Sequence, residues 1–257
     1  MGEKHLLYEV KDGAAWMTLN REDRRNALSL PMIDQFFEFL DMAGADDSVR
    51  VICLTGAGGK VFCSGADLAS SFEREDHVAG ARKYAKLLKK LASYAKPIVG
   101  RINGHCLAGG LGLLLSCDIS YARDDVKFGT PEVSVGLFPM MIGHLILSNA
   151  VRKKALEMIY TAKTISAAEA EAMGLITRVV PAGELDDVVR QTLGAVASKA
   201  PLAIKIGRYA LAVAEDRGFD EALDYLCDKL GEVVETEDAK EGLMAFMQKR
   251  TPDWKGR

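Results

Sequence analysis

The sequence has few of the residues from which disulfide frameworks and metal sites are built. Its 257 residues include five cysteines and four histidines. The cysteine number is odd and no C-x-x-C pair occurs, which argues against a disulfide framework or a zinc cluster. The histidines show no H-x-x-x-H pair, so no metal is expected. Most of the cysteines are expected to be small buried hydrophobic residues.

A charge excess of either sign is also absent. The chain has 33 basic and 36 acidic residues, a net charge of -3. Without a basic face, nucleic acid and anionic lipid are not expected as partners. No run reaches the roughly 18 uninterrupted apolar residues of a membrane span, and the N-terminus lacks a segment like a signal peptide. We therefore expect a cytoplasmic or organelle-matrix protein that does not cross a membrane.

Hydrophobic residues make up 49% of the chain, enough for a sizeable core. Through residue 122, short strand-like runs alternate with amphipathic helices, which predicts an α/β fold with a helix-covered sheet. The predicted strands cover 6–11, 14–19, 50–56, 98–102 and 118–122, and the predicted helices begin at Pro31 and cover about 78–95.

From about residue 151 the pattern becomes mostly helical. Ser166, Glu169 and Gly174 have the spacing of a capping box and a glycine stop. One more strand is predicted over 176–180, followed by four amphipathic helices. Ala200-Pro201 separates two of these helices, so we divide the chain softly into a core, 1–197, and a helical region, 198–257.

The stretch GGLGLLLSCD, residues 109–118, raises a specific question. Glycine costs roughly 1 kcal/mol relative to alanine inside a helix, so three in four positions indicate a geometric need. The dinucleotide fingerprint fails because Leu115 stands at its third glycine position, and no G-K-[ST] occurs. The chain therefore lacks the glycine-rich loop that a nicotinamide oxidoreductase needs to bind its cofactor. Two explanations for the glycines remain: close packing against another backbone, or main-chain N–H groups presented to a ligand.

Further motifs accompany this stretch in order. They are K-x-F-C-S-G-A-D-L at 60–68, I-N-G-H-C-L-A-G-G at 102–110, C-D at 117–118 and F-G-T-P-E-V-S-V-G-L-F-P at 128–139. With N-R-x-x-x-x-N-A-L at 20–28 and A-F-x-x-K-R at 245–250, the chain resembles the crotonase superfamily, the enoyl-CoA hydratase/isomerase proteins. The resemblance implies a superhelix of β-β-α units, C-terminal helices that build trimers or hexamers, and an acyl-CoA thioester substrate without a separate cofactor.

The resemblance also implies the catalytic groups. The amides of Ala66 and Gly109 would bind the thioester carbonyl, and Glu132 would move the proton. The family's other glutamate falls on Gly112. Because a double-bond shift needs one base while two carboxylates naturally divide the work of hydration, we predict enoyl-CoA isomerisation first. Hydration of a 2-enoyl-CoA is the alternative.

Other interpretations stay open. Gly112 also leaves room for a bulky acyl group, and Glu132 without the resemblance is a solvated or helix-capping acid. Relatives on this scaffold decarboxylate, dehalogenate or hydrolyse acyl-CoAs, and a catalytically silent CoA-binding homologue is a further alternative. Cys63 is not expected to be a nucleophile because it has no evident basic partner.

Residues for binding the substrate are implied by position. Lys60 before the F-C-S-G turn, and Arg24 or Arg25 in the N-terminal loop, would meet the CoA phosphates. Asp67 would anchor the turn at Ala66. Apolar residues near 137–141 would line the acyl cavity. His144 is either a second acid/base group or an ordinary residue at a helix start. The implied set is Lys60, Arg24 (or Arg25), Ala27, Ala66, Asp67, Leu68, Gly110, Leu137, Met140, His144, Phe246 and Lys249.

Overall fold

A computed structural model describes residues 3–67 and 77–257. Its strands are β1 (Leu6–Lys11), β2 (Ala14–Leu19), β3 (Val51–Gly56), β4 (Val61–Cys63), β5 (Ile98–Ile102), β6 (His105–Leu107), β7 (Ile119–Arg123), β8 (Lys127–Gly129), β9 (Thr164–Ser166) and β10 (Arg178–Val180). Its helices are α1 (Leu30–Ala45), α2 (His77–Ala92), α3 (Gly109–Leu115), α4 (Met140–Asn149), α5 (Arg152–Thr161), α6 (Ala167–Met173), α7 (Leu185–Ala197), α8 (Pro201–Ala214), α9 (Phe219–Glu235) and α10 (Glu237–Met247).

The larger sheet has six strands in the order β1-β2-β3-β5-β7-β10. β1 and β2 form an antiparallel hairpin around Asp12-Gly13, and the remaining neighbours are parallel. All six residues of β3 are buried, as expected for a central strand of a sheet covered by helices on both faces.

The smaller sheet has four short strands in the order β4-β6-β8-β9. β4, β6 and β8 run parallel, and β9 is antiparallel to β8. The fully buried rings of Phe62 and Phe128 belong to these strands, and Phe36 of α1 is buried in the same core. Each such ring contributes about 1.5–3 kcal/mol of hydrophobic stabilisation.

Local sequence signals place the helix ends. Ser29 caps α1 by accepting a hydrogen bond from the N–H of Met32, and Pro31 lies in the first turn. Ser166 and Glu169 form the predicted capping box of α6, which ends at Gly174 in the left-handed region. These ends and the alternation of strands and helices confirm the predicted α/β class.

The C-terminal helices are attached to the core by polar contacts. Arg208 of α8 bonds the Asp118 carboxylate at 2.9 Å and also the carbonyls of Leu91, Ala92 and Tyr94. The Trp254 indole N–H donates to the Ser198 carbonyl at 2.8 Å. No residue of α9 is buried.

Candidate active site

Three segments of the chain leave the smaller sheet at one edge. Cys63 of β4 pairs with Cys106 of β6, and Leu107 of β6 pairs with Gly129 of β8. Because these strands are parallel, the residues after them emerge side by side, the place where ligands bind in many α/β proteins. The segments are Ser64–Asp67, Ala108–Gly112 and Thr130–Glu132, and they hold the catalytic residues predicted from the sequence.

The first segment is a tight turn at Gly65, whose φ is +97°. A Cβ on Gly65 would lie 2.6 Å from the Ala108 Cβ and 3.0 Å from the Gly109 nitrogen, so only glycine fits. The next residue, Ala66, is exposed and pairs with Leu28 in an isolated bridge. No main-chain acceptor in the described residues takes up its N–H.

Asp67 follows this turn and forms an ion pair with Arg21 at 2.9 Å. Its N–H donates to the Leu28 carbonyl at 3.0 Å. The Arg21 guanidinium also donates to the Ala27 carbonyl at 2.9 Å. These contacts join the turn to the segment before α1.

The second segment begins at a strained residue. Ala108 has φ +48° and ψ -130°, a combination that costs an alanine on the order of 1–3 kcal/mol and is concentrated at functional sites. Its N–H donates to the Gly129 carbonyl at 2.9 Å. Gly109 then starts α3, and a Cβ on it would lie 3.6 Å from the Ala66 nitrogen. Within the described chain no main-chain oxygen accepts the Gly109 N–H.

The third segment carries the carboxyl group of Glu132. Glu132 lies in a 3₁₀ helix, Pro131–Val135, whose first residue is a proline. Its Oε2 is buried without a hydrogen-bond partner among the described residues, and so is the hydroxyl of Thr130. Burial raises the pKa of Glu132, opposed in part by its own backbone N–H. A partly desolvated carboxyl of this kind suits proton transfer.

Gly112 lies one turn into α3, where the surrounding space is already filled. A Cβ there would overlap the hydroxyl of Tyr84 and lie 2.8 Å from Cγ2 of Ile142. Tyr84 is buried and donates its hydroxyl hydrogen to the Gly109 carbonyl. The structure therefore shows no space beside Gly112 for the bulky acyl group that was one interpretation of this glycine.

A cavity of about 550 Å³ lies next to the first turn. Lys60 lines it, as does Arg25 rather than Arg24, whose guanidinium pairs with Asp23 at 3.5 Å. His105 and Arg123 add further basic side chains. Asp125 also lines the cavity and forms an ion pair with Arg123, which offsets part of the positive charge available for phosphate groups.

Several other predicted residues lie on the surface. Val135, Leu137, Phe138 and Met140 form an exposed apolar segment after Glu132, and His144 of α4 is exposed. Phe246 is 84% exposed, and Lys249 is exposed nearby. Gly110 is buried against Cys63. Leu68 lies outside the described residues.

Cys63 is fully buried, and burial raises the pKa of its thiol to about 12. Since the thiolate is the nucleophilic form, the structure agrees with the expectation that Cys63 is not a nucleophile. Residues 3–67 and 77–257 hold no cluster of three side chains suited to a metal ion and no helix with the length and apolar character to cross a membrane.

Three residues at this site have no counterpart in the sequence-based prediction. Tyr84 is one apolar position of an amphipathic helix, and its contact with Gly109 is not visible locally. Thr130 lies in the F-G-T-P-E motif, in which the sequence assigns a role only to Glu132. Arg123 ends a strand, and its place beside the basic cavity follows only from the pairing of β7 in the sheet.

Fold and site together define an α/β protein whose candidate site combines two amides, without main-chain acceptors in the described part of the chain, with one partly buried carboxyl group. A family model described as enoyl-CoA hydratase/isomerase matches residues 9–257. The chain therefore belongs to the enoyl-CoA hydratase/isomerase family, and the predicted resemblance to the crotonase superfamily is confirmed. It is an enzyme of that family.

Individual relatives agree with this assignment. A short-chain-enoyl-CoA hydratase of Clostridium acetobutylicum is 32% identical, with 96% of this chain and 95% of the relative covered. An (E)-benzylidenesuccinyl-CoA hydratase of Thauera aromatica is 34% identical over 98% of this chain and 99% of the relative. The crystal structure of an enoyl-CoA hydratase from Bacillus anthracis superposes with a TM-score of 0.94 at 30% identity, covering 98% of this chain and all of the other. The fold expected from the resemblance is thereby confirmed.

Proposed function

We propose that this enzyme transfers a proton at Cα of an enoyl-CoA through a thioester enolate. The observation that carries the proposal is the buried carboxyl oxygen of Glu132, which has no hydrogen-bond partner among residues 3–67 and 77–257. It lies at the edge where the N–H groups of Ala66 and Gly109 have no main-chain acceptor among those same residues. Two preorganised donors stabilise the charge that gathers on the thioester oxygen, and one donor is typically worth about 10²–10³ in rate.

Hydration of a 2-enoyl-CoA is the reaction that the names of the relatives favour. With a single carboxylate, Glu132 takes a proton from water as the water oxygen attacks C3, which yields the enolate. Glu132 then returns the proton to Cα. One oxygen–hydrogen bond and the π bond between C2 and C3 are broken, and one carbon–oxygen and one carbon–hydrogen bond are formed.

Double-bond isomerisation, the first prediction from the sequence, remains the second candidate. Glu132 would remove a proton from Cα of a 3-enoyl-CoA and return it at C4. The observation that favours this reaction is the filled space at Gly112, which leaves no room for a carboxylate side chain at that position. The relatives support hydration better than isomerisation.

The basic cavity and the exposed C-terminal surface complete the proposal. Arg25 and Lys60 would meet the CoA phosphates. On α9, Leu223, Leu230 and Val234 form an exposed apolar stripe with Cys227 between them. Such a stripe calls for a partner surface, and we propose that copies of this chain cover it in a trimer or hexamer.

The test is a panel of 2-enoyl- and 3-enoyl-CoA thioesters assayed for product and for exchange of the Cα hydrogen in D₂O. We expect exchange with both classes and water addition with the 2-enoyl substrates. Turnover of 3-enoyl substrates without any hydration would leave isomerisation as the function. Acyl-CoA binding without exchange or turnover would overturn both and indicate a silent homologue.

A further inference from the structure

Tyr84 contacts the first turn of α3, which begins at Gly109. It belongs to α2, its side chain is 7% exposed, and its hydroxyl donates to the carbonyl of Gly109. Gly109 is also the residue whose N–H stays free of main-chain acceptors in the part of the chain described. The bond from Tyr84 therefore fixes the first turn of α3 at the point where the proposed donor is presented.

The same side chain occupies the place of a residue-112 side chain. A Cβ on Gly112 would overlap the Tyr84 hydroxyl and lie 3.2 Å from its Cζ. Cγ2 of Ile142 closes the other side at 2.8 Å. Protein cores tolerate little overlap of this kind, so a side chain at position 112 would force Tyr84 and Ile142 to move.

Tyr84 also lies close enough to Glu132 to sense its charge. Burial, and then the neighbouring Cys63, Cys106 and Glu132, raise the pKa of Tyr84 well above its usual value. The hydroxyl is therefore neutral at any physiological pH and acts only as a hydrogen-bond donor to Gly109. It adds no second titrating group to the site.

We propose that Tyr84 sets the reaction specificity of this site: it fills the space beside Gly112 and fixes the Gly109 turn, so that proton transfer depends on Glu132 alone. The inference rests on the proposed function. Tyr84 acts through Gly109 and through the space that it occupies, so it is a positioning residue. A small displacement of a catalytic donor can cost a large factor in rate.

The first experiment removes only the hydroxyl, in Tyr84→Phe. We expect kcat for Cα exchange to fall about 10-fold with KM unchanged. The misplaced Gly109 N–H would cost most in the transition state, when negative charge develops on the thioester oxygen. Tyr94→Phe is the matched control. Tyr94 is also buried, and its hydroxyl donates to a helix carbonyl, that of Leu40, at 2.6 Å. Equal kcat losses in the two variants would show a merely structural role and overturn the inference.

The second experiment tests the filled space without using activity. Gly112→Ala is expected to lower the melting temperature by about 5 °C or more in the native background. In the Tyr84→Phe background the loss should be clearly smaller, since the overlapping atom is gone. Additive losses would mean that the two positions do not compete for space, which contradicts the proposal.

The third experiment reads specificity. Tyr84→Ala opens a water-sized space beside Gly112, so we expect the ratio of hydration to isomerisation to rise about 5-fold or more. Tyr94→Ala should leave that ratio unchanged. An unchanged ratio in both would overturn the inference while the enzyme itself still turns over. Failure of the native enzyme on every thioester would instead overturn the proposed function, even if Tyr84 and Gly112 remain coupled in stability.

Discussion

The core and the C-terminal helices use their apolar residues in opposite ways. In the core, the strands and α1 bury nearly complete apolar faces, and the candidate site is built where buried strands end. In α9 no residue is buried, and residues with large side chains such as Leu230 and Val234 are more than half exposed. Both regions have similar amphipathic sequence patterns, so a pattern predicts an apolar face but not what covers it. The core therefore completes its apolar contacts within one chain, whereas the exposed apolar stripe of the C-terminal region is the surface for which we propose contact between copies.

The largest effect that separates the two regions is expected from Glu132→Gln. The amide keeps the shape of the carboxyl group but cannot accept the proton. Activity on enoyl-CoA should therefore fall about 10²–10⁴-fold, while the molecular mass in solution stays unchanged. Steady-state rates and light scattering measure the two properties.

Glu38→Gln, on an exposed position of α1, is the control and should keep full activity. Retention of more than a tenth of the activity in Glu132→Gln would mean that another group moves the proton.

The second largest effect is expected from Gly65→Ala. Residue 65 has a positive φ, and the added methyl group would overlap the Cβ of Ala108. The turn must therefore move, which displaces the Ala66 amide. We expect a loss of about 10²–10³ in kcat that exceeds any loss of acyl-CoA binding measured by calorimetry.

Gly194→Ala in α7, where an added methyl meets open space, is the control and should leave the rate unchanged. A Gly65→Ala enzyme with native kcat would contradict the role given to the Ala66 amide.

The C-terminal side of the comparison is tested by Leu230→Lys combined with Val234→Lys. Burying two lysines in a contact between copies is unfavourable, so the assembly should weaken by about 10²-fold or more. Light scattering over a concentration series would show the mass of a single chain.

Asp228→Lys, on the same helix but off the apolar stripe, is the control and should assemble normally. If the native chain is already monomeric, or if the double variant assembles like it, the proposed role of the stripe is wrong.

Arg208 connects the two regions and predicts a smaller effect. Arg208→Met keeps much of the length of the side chain but removes its bonds to Asp118 and to three main-chain carbonyls. The free energy of unfolding should fall by about 2–3 kcal/mol, measured by urea denaturation.

In the described part of the chain, the ion pairs of Arg190 are with exposed carboxylates of its own helix. Arg190→Met should therefore cost no more than about 0.5 kcal/mol. Equal costs in the two arginine variants would show that the C-terminal region is not held to the core by Arg208.

The sequence predicted the long elements of the fold because their periodicity extends over many residues. The hairpin of β1 and β2, the buried strand β3 and the cap at Ser166 all have strong local signals. β6, β8 and β9 have three residues each, too few for a period to be seen, and they exist because distant partners complete their hydrogen bonds.

The candidate site shows the same division. The glycines at 65 and 109 and the glutamate at 132 are visible as motifs, and the resemblance assigned their roles. Tyr84 is invisible because its meaning depends on a contact across 25 residues. What surrounds a glycine is a property of the folded chain, whereas the glycine itself is a property of the sequence.

The smallest predicted effect concerns pH and the stability of the core. Burial raises the pKa of Glu132, so the folded chain holds this proton to a higher pH than the unfolded chain. Between the two pKa values the folded state binds more protons, and the free energy of unfolding therefore falls as the pH rises through that interval. Glu132→Gln removes this contribution.

The melting temperature of the Glu132→Gln variant should exceed that of the native chain by a few degrees at about pH 7. The difference should shrink as the pH is lowered toward the ordinary carboxyl range near 4. Glu38→Gln should show no such pH-dependent gain. A Glu132→Gln variant less stable than the native chain at neutral pH would mean that the carboxylate is stabilised in the fold, and the carboxyl group would then be unsuited to the proton transfer proposed for it.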